Sequence, residues 1–438
     1  MEEIIVQRVI QVDERPPLLQ TLPLSLQHLF AMFGSTVLVP VLFGVNAATI
    51  LLMNGIGTLL YLLICKGKIP AYLGSSFAFL SPVFAALEGD TANNYPYVLG
   101  AFIVVGAVFT IFGLIVQAVG TKWIDVIFPP AAMGAIVAVI GLELVPTAAG
   151  MAGWIKDPSS DPTLAWSPDP KSVIVSVATL LIIILGNVLF RGFMKIIPIL
   201  IGFIAGYVLA WALGIVDFSG VSEANFFAAP EFTLPKFKLA TILIILPAAL
   251  VVIAEHIGHL IVTENITGRP LTKNPGLHRS LLGNGISTMI SGFVGSTPNT
   301  TYGENIGVMT LTRVYSVFVI GGAAVLAIVL SFLGKLSAII SAVPSPVLGG
   351  VSLMLFGVIA VAGIRMLVET KVDYGKPQNI ILTTVVFVLG ISGTKLTWGN
   401  FELKGMVLAT VAAIVLSLFF KLIEVLKLSN EQPEHPTK

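Results

Sequence analysis

Apolar stretches close to the length that crosses a bilayer, about 20 residues in a helix, recur between residues 22 and 426 of this 438-residue chain. Roughly fourteen can be counted, two of them short and interrupted. Only 11% of residues are charged and mean hydropathy is +0.96. A soluble domain carries roughly 25% charge, so the pattern reads as an all-α polytopic membrane protein, with the lipid bilayer as its surroundings. A net charge of +1 without a basic stripe excludes nucleic acid as a partner. The single cysteine, Cys65, excludes an intrachain disulfide. Residues 1–17 carry acids and end in Arg15-Pro16-Pro17, which does not read as a cleavable signal peptide.

With both termini on the cytoplasmic side, 17 of the 24 Lys and Arg fall inside and 7 outside, the sign the positive-inside rule requires. An even number of spans follows. Asn54-Gly55-Ile56-Gly57-Thr58 returns as Asn284-Gly285-Ile286-Ser287-Thr288, and Gly106-Ala107, Pro130, Gly134 and Gly141 match Gly322-Ala323, Pro346, Gly350 and Gly357 at one common offset. Two halves of seven spans explain these matches. Seven is odd, so the second half must be inverted relative to the first, as in many secondary transporters.

Two segments are poor continuous helices and follow the repeated element in each half: residues 70–82, from Pro70 through Gly74-Ser75-Ser76, and residues 295–307, from Gly295 through Pro298-Asn299-Thr300. Each reads as an extended piece followed by a short helix. Extended backbone cannot face lipid, so both must lie in the protein interior, and broken spans at equivalent positions mark a transporter site.

Intramembrane charge is a second signal. Glu255 and His259 lie four apart in an otherwise apolar stretch, on one helical face, with Gly258 expected to open room beside them. Glu304 sits at the start of the second short helix, where freed amides meet an acceptor. Such carboxylates are candidates to bind substrate and proton together. His256 points away from Glu255 and reads as a packing or hydrogen-bonding residue; Gln27, His28 and Asn305 are further candidates for the polar interior, and Glu143 reads as interfacial. A zinc-hydrolase motif does not fit, since its histidines stand four apart with the Glu next to the first, whereas here the Glu precedes two histidines three apart. The chain is expected to be a transporter, not an enzyme.

Glu304-Asn305-Ile306-Gly307 followed by Thr312-Arg313, together with Gln27-His28 and Glu255, resembles the signature of the nucleobase/cation symporter-2 family, also called nucleobase-ascorbate transporters. The closer likeness is to its bacterial uracil permeases, through residues 24–34, 74–79 and 296–304. The resemblance implies a proton-coupled uracil importer of the bacterial cytoplasmic (inner) membrane, with no cofactor beyond the coupling proton. It implies an N-terminal segment at 1–21, a core domain from 22–120 and 238–334, a gate domain from 121–237 and 335–427, a cytoplasmic tail at 428–438, and a homodimer. It further implies that Glu255 and Glu304 accept the N–H groups of uracil, that the amides of Phe77 and Gly303 donate to its carbonyls, that Tyr302 lines the site and that His259 supports Glu255 in proton coupling. Ser35 and Phe356 depart from the Ala and Tyr of well-known relatives, which touches secondary contacts near the ring and the gate. A purine or xanthine permease, or an inverted-repeat anion transporter, are the alternatives.

Overall fold

A computed structural model describes residues 9–87, 89–156, 163, 165–398 and 401–428, with the side chains of 33–35, 193, 196 and 401 outside the description. The first half runs α1 (Leu18–Ala31), α2 (Phe33–Phe43), α3 (Ala47–Ile64), β1 (Leu73–Ser75), α4 (Leu80–Leu87), α5 (Thr91–Val119), α6 (Ile124–Ile127), α7 (Pro130–Met151), α8 (Pro170–Leu189), α9 (Pro198–Ala212) and α10 (Ser219–Glu223). The second runs α11 (Leu239–Ile245), α12 (Ala248–Thr267), α13 (Leu277–Val294), β2 (Asn299–Thr301), α14 (Gly303–Thr312), α15 (Val317–Ser331), α16 (Gly334–Ser341), α17 (Ser345–Glu369), α18 (Pro377–Ile391), the hairpin β3 (Lys395–Trp398) with β4 (Phe401–Lys404), and α19 (Gly405–Val425).

Among the described residues, eight helical stretches are long and apolar enough to cross a membrane and four shorter apolar helices join them. Helix α13 and the β2–α14 unit complete the fourteen. Asn284, Ser287, Thr288 and Ser291 lower the hydropathy of α13, but all four are buried, so the helix hides this polar face inside the protein.

The inverted repeat is written in the packing. Helix α3 packs on α15 and α13 on α5; α8 packs on α9 and α18 on α19; α8 meets α17 and α18 meets α7; α7 and α17 cross each other. Exchanging the two halves maps each of these pairs onto another member of the set. Strands β1 and β2 pair antiparallel, Leu73 opposite Thr301 and Ser75 opposite Asn299, as a two-fold axis between equivalent strands demands. The first span of each half is broken at a corresponding place, between α1 and α2 at Met32 and between α11 and α12 at Leu246-Pro247.

Small residues permit the closest crossings. A Cβ on Gly55 would stand 2.6 Å from the carbonyl oxygen of Ala324 in α15, and one on the equivalent Gly285 would stand 2.7 Å from that of Gly106 in α5. Either would force the backbones apart, which explains why the repeated element carries glycine at this point.

Candidate functional site

The two broken spans meet at β1 and β2, and one threonine from each repeated element anchors each strand. Thr58 Oγ1 accepts from the Leu73 amide at 2.9 Å and donates to Asn54 O, one turn back in α3, at 2.7 Å, with Leu73 O farther off at 3.4 Å. Thr288 Oγ1 accepts from the Asn299 amide and donates to Asn299 O, 3.2 Å each way. Asn299 Nδ2 adds bonds to Ser287 Oγ at 2.6 Å and to Met53 O and Ser291 Oγ at 3.3 Å. Across the pair, Ser75 Oγ meets Thr297 Oγ1 at 2.7 Å, the Ser76 amide donates to Pro298 O at 3.1 Å, and Tyr302 Oη donates to Ser75 O. These partners replace those that a helix would supply internally, which is why extended backbone is tolerated at membrane depth.

Each strand ends at a helical start. Phe77 opens a short 3-10 turn and Gly303 opens α14, so both place backbone N–H groups where no intrahelical acceptor exists. A cavity of about 300 Å³ lies in front of them, lined by Phe77, Glu255, His259, Thr300, Tyr302, Gly303 and Glu304 among others. Helix α12 supplies Glu255 and His259, and α14 supplies Glu304. Glu255 Oε2 and Glu304 Oε1 are buried with no hydrogen-bond partner among the described residues. The site therefore offers acceptors from two carboxylates and donors from two helix starts, a set suited to a flat polar ligand carrying both N–H and C=O groups. The Phe77 ring stands edge-on to Tyr302 at 6.2 Å and to Phe356 of α17 at 5.6 Å.

His259 Nδ1 donates to Thr301 O at 2.8 Å, which places its other nitrogen beside Gly303. His256, one turn before His259 on α12, bonds Ser280 Oγ of α13 through Nε2 at 2.7 Å, in keeping with a helix–helix hydrogen-bonding role. Among the described residues no group of three or more His, Cys, Asp or Glu could hold a metal ion.

Several sequence expectations need correcting. Gly258 does not open room beside Glu255; the space in front of it is occupied by the Met366 thioether of α17. Gln27 and His28 do not line the cavity, and Phe30 and Ala31 represent α1 there instead. Gln27 Oε1 and His28 Nδ1 are buried unpartnered within the bundle. Asn305 lines a separate small cavity behind the strands. The side chain of Ser35 lies outside the described residues. Glu143 has a structural task at the end of its span: its Oε2 accepts from the Met406 amide at 2.7 Å and so caps the start of α19. Sequence reasoning missed Thr300, Val137 and Ile359 on the cavity wall and Asn187, Lys195 and Arg365 among its lining residues. Only Thr300, within the broken span already singled out, carried a usable signal.

Residues 19–399 match a family described as the permease family. The chain belongs to that family. It is 66% identical over 424 residues to a protein of Paenibacillus larvae named uracil permease, covering 97% of this chain and 99% of that one. It is 62% identical over 420 residues to the uracil permease of Escherichia coli K12, covering 96% of each. Among solved structures, the transmembrane domain of the cyanobacterial bicarbonate transporter BicA superposes with a TM-score of 0.64, at 13% identity, over 93% of this chain and 99% of that one. At that identity the likeness concerns the fold: this permease-family chain shares the arrangement of an inverted-repeat transporter.

Proposed function

We propose that the chain imports uracil together with protons across the bacterial cytoplasmic membrane by alternating access, with both termini cytoplasmic. The observation that carries this reading is the pairing of two unpartnered carboxylate oxygens with two helix-start amides in one cavity. Uracil presents two N–H donors and two C=O acceptors on a flat ring, and this site complements all four. A ligand that left one buried group unmatched would lose about 1–3 kcal/mol, which supplies selectivity. The names of the relatives in Paenibacillus larvae and Escherichia coli support the same ligand. Two carboxylates speak against an anion as cargo.

In this reading Glu255 and Glu304 accept the uracil N–H groups, the Phe77 and Gly303 amides donate to its carbonyls, Tyr302 closes the wall, and Glu255 with His259 carries the coupling proton. The helices α1–α5 and α11–α15 act as the core, α7–α9 and α17–α19 as the gate, and two copies associate through their gates. Lys195 and Arg365 line the cavity, and positive charge marks the cytoplasmic side, so this conformation faces inward. The test is uptake of radiolabelled uracil by cells lacking their own uracil transporter, with and without a protonophore. Uptake abolished by the protonophore, and competed by uracil rather than by xanthine or guanine, is expected. Uptake of xanthine in preference to uracil would overturn the assignment.

A further inference from the structure

Behind the strand pair, a chain of hydrogen bonds leads from His259 on the cavity wall through groups that the binding reading leaves unused. His259 Nδ1 stands 3.3 Å from Thr301 Oγ1, which stands 3.3 Å from His256 Nδ1. His256 Nε2 is 2.7 Å from Ser280 Oγ, and Ser280 Oγ is 2.6 Å from Tyr61 Oη. Tyr61 lies one turn of α3 before Cys65, the buried residue that ends the helix immediately before exposed Lys66. All these side chains are buried. The far end of the chain lies beside Lys66, Lys68 and Arg279, the basic end of the molecule: Lys68 Nζ bonds Asn274 Oδ1 at 2.8 Å and Arg279 bonds Ile64 O at 3.0 Å.

A second observation marks the same route. A cavity of about 10 Å³ is lined by Tyr61, His256, His259, Ser280, Thr301 and Asn305, a size at the lower bound for one water molecule, about 10–15 Å³. Asn305 borders it with both side-chain polar atoms buried and unpartnered among the described residues.

We propose that Thr301, His256, Ser280 and Tyr61 form a proton conduit from His259 to the basic end of the core, separate from the path that uracil takes. The proposal rests on the reading of the chain as a uracil–proton symporter. His259 Nδ1 donates to a carbonyl, so its Nε2 holds a lone pair on the side of the substrate cavity. A proton accepted at Nε2 frees the Nδ1 proton to pass to Thr301 Oγ1 as the threonine's own proton passes to His256 Nδ1. The Nε2 proton of His256 then moves to Ser280, that of Ser280 to Tyr61, and that of Tyr61 through the Cys65 side to water. Each group takes one proton and gives one, so charge is conserved and no co-reactant is needed. Most of the route, α3, α12, α13 and β2, lies on elements packed together with the strands, so it stays connected while α17 and its neighbours move. A proton can then leave Glu255 and His259 while uracil still occupies the cavity mouth.

The experiment uses the purified full chain in proteoliposomes carrying a trapped pH-sensitive dye. It measures uracil-driven proton entry, uracil–uracil exchange without a proton gradient, and uracil affinity for wild type, Tyr61→Phe and Ser280→Ala. Proton entry slowed by about a hundredfold in both variants, with exchange and affinity unchanged, is expected. Wild-type proton entry in both variants, or losses of exchange and affinity in step with proton entry, would overturn the conduit and leave these residues as packing. If wild type itself moves no protons with uracil, the symport reading fails first, a result distinct from intact coupling in the variants.

Discussion

Replacing Thr288 by valine keeps the shape of a side chain that is 1% exposed and removes one oxygen. That oxygen accepts from the Asn299 amide and donates to the Asn299 carbonyl, both at 3.2 Å. Asn299 also stands opposite Ser75 in the strand pair, so part of its hydrogen bonding survives the change. An unsatisfied buried backbone group costs about 1–3 kcal/mol, and with partial compensation about 1–2 kcal/mol is expected here. Strand β2 leads directly into Tyr302 and Gly303, so the loss falls on the preorganisation of the site. Uracil affinity should weaken by about 5- to 30-fold, since 1.4 kcal/mol is tenfold. Thr58→Val removes the equivalent anchor at Leu73, and the loss of the acceptor for the Leu73 amide at 2.9 Å predicts an effect of similar size. Because the two strands pair with each other, the double variant should lose less than the sum. Calorimetric titration of the purified variants with uracil is the assay. Affinity equal to wild type in both, with unchanged thermal stability, would refute the claim that these threonines hold the strands in place.

Two further outcomes follow from the same geometry. Gly285→Leu should lower the thermal midpoint sharply or prevent assembly, because even a Cβ would stand 2.7 Å from Gly106 O and 2.8 Å from the Thr110 amide; the equivalent Gly55→Leu should behave alike, while Gly307→Ala, with open space in front of it, should melt like wild type. At the N-terminal segment, the Arg269 guanidinium bonded to Asp13 holds that carboxyl below the usual carboxylate range. The link is whole above the ordinary Asp value and is lost as pH falls through the depressed one. Protection of the Tyr315 and Val317 amides, which bond Ile10 O and Val12 O, measured relative to the intrinsic exchange rate at each pH, should therefore fall only in acid, and a fall at neutral pH would contradict the assignment.

Much of the architecture was legible because a membrane leaves few choices. Apolar length gives the spans, an odd count per repeat gives the inversion, and clusters such as Gly74-Ser75-Ser76 and Pro298-Asn299-Thr300 give the breaks. The carboxylates stood out because charge is costly at that depth. What stayed hidden depends on which element faces which. The repeated Asn-Gly element was visible, yet nothing local says that its threonine would clamp a strand 15 residues away in one half and 11 in the other. Helical periodicity placed Gly258 on the face of Glu255, but the neighbour filling that face, Met366, is over a hundred residues away in sequence. Gln27 and His28 illustrate the same limit: a polar residue in a span must face inward, but facing inward does not mean lining the cavity.

The central claim is that Glu255 and Glu304, facing the paired strands, bind uracil. Calorimetric titration of wild type, Glu255→Gln and Glu304→Gln with uracil tests it most directly. An amide turned to donate leaves a uracil N–H unmatched, at about 1–3 kcal/mol, so each variant should bind about 5- to 150-fold more weakly than wild type. Affinity equal to wild type in both variants would contradict the account.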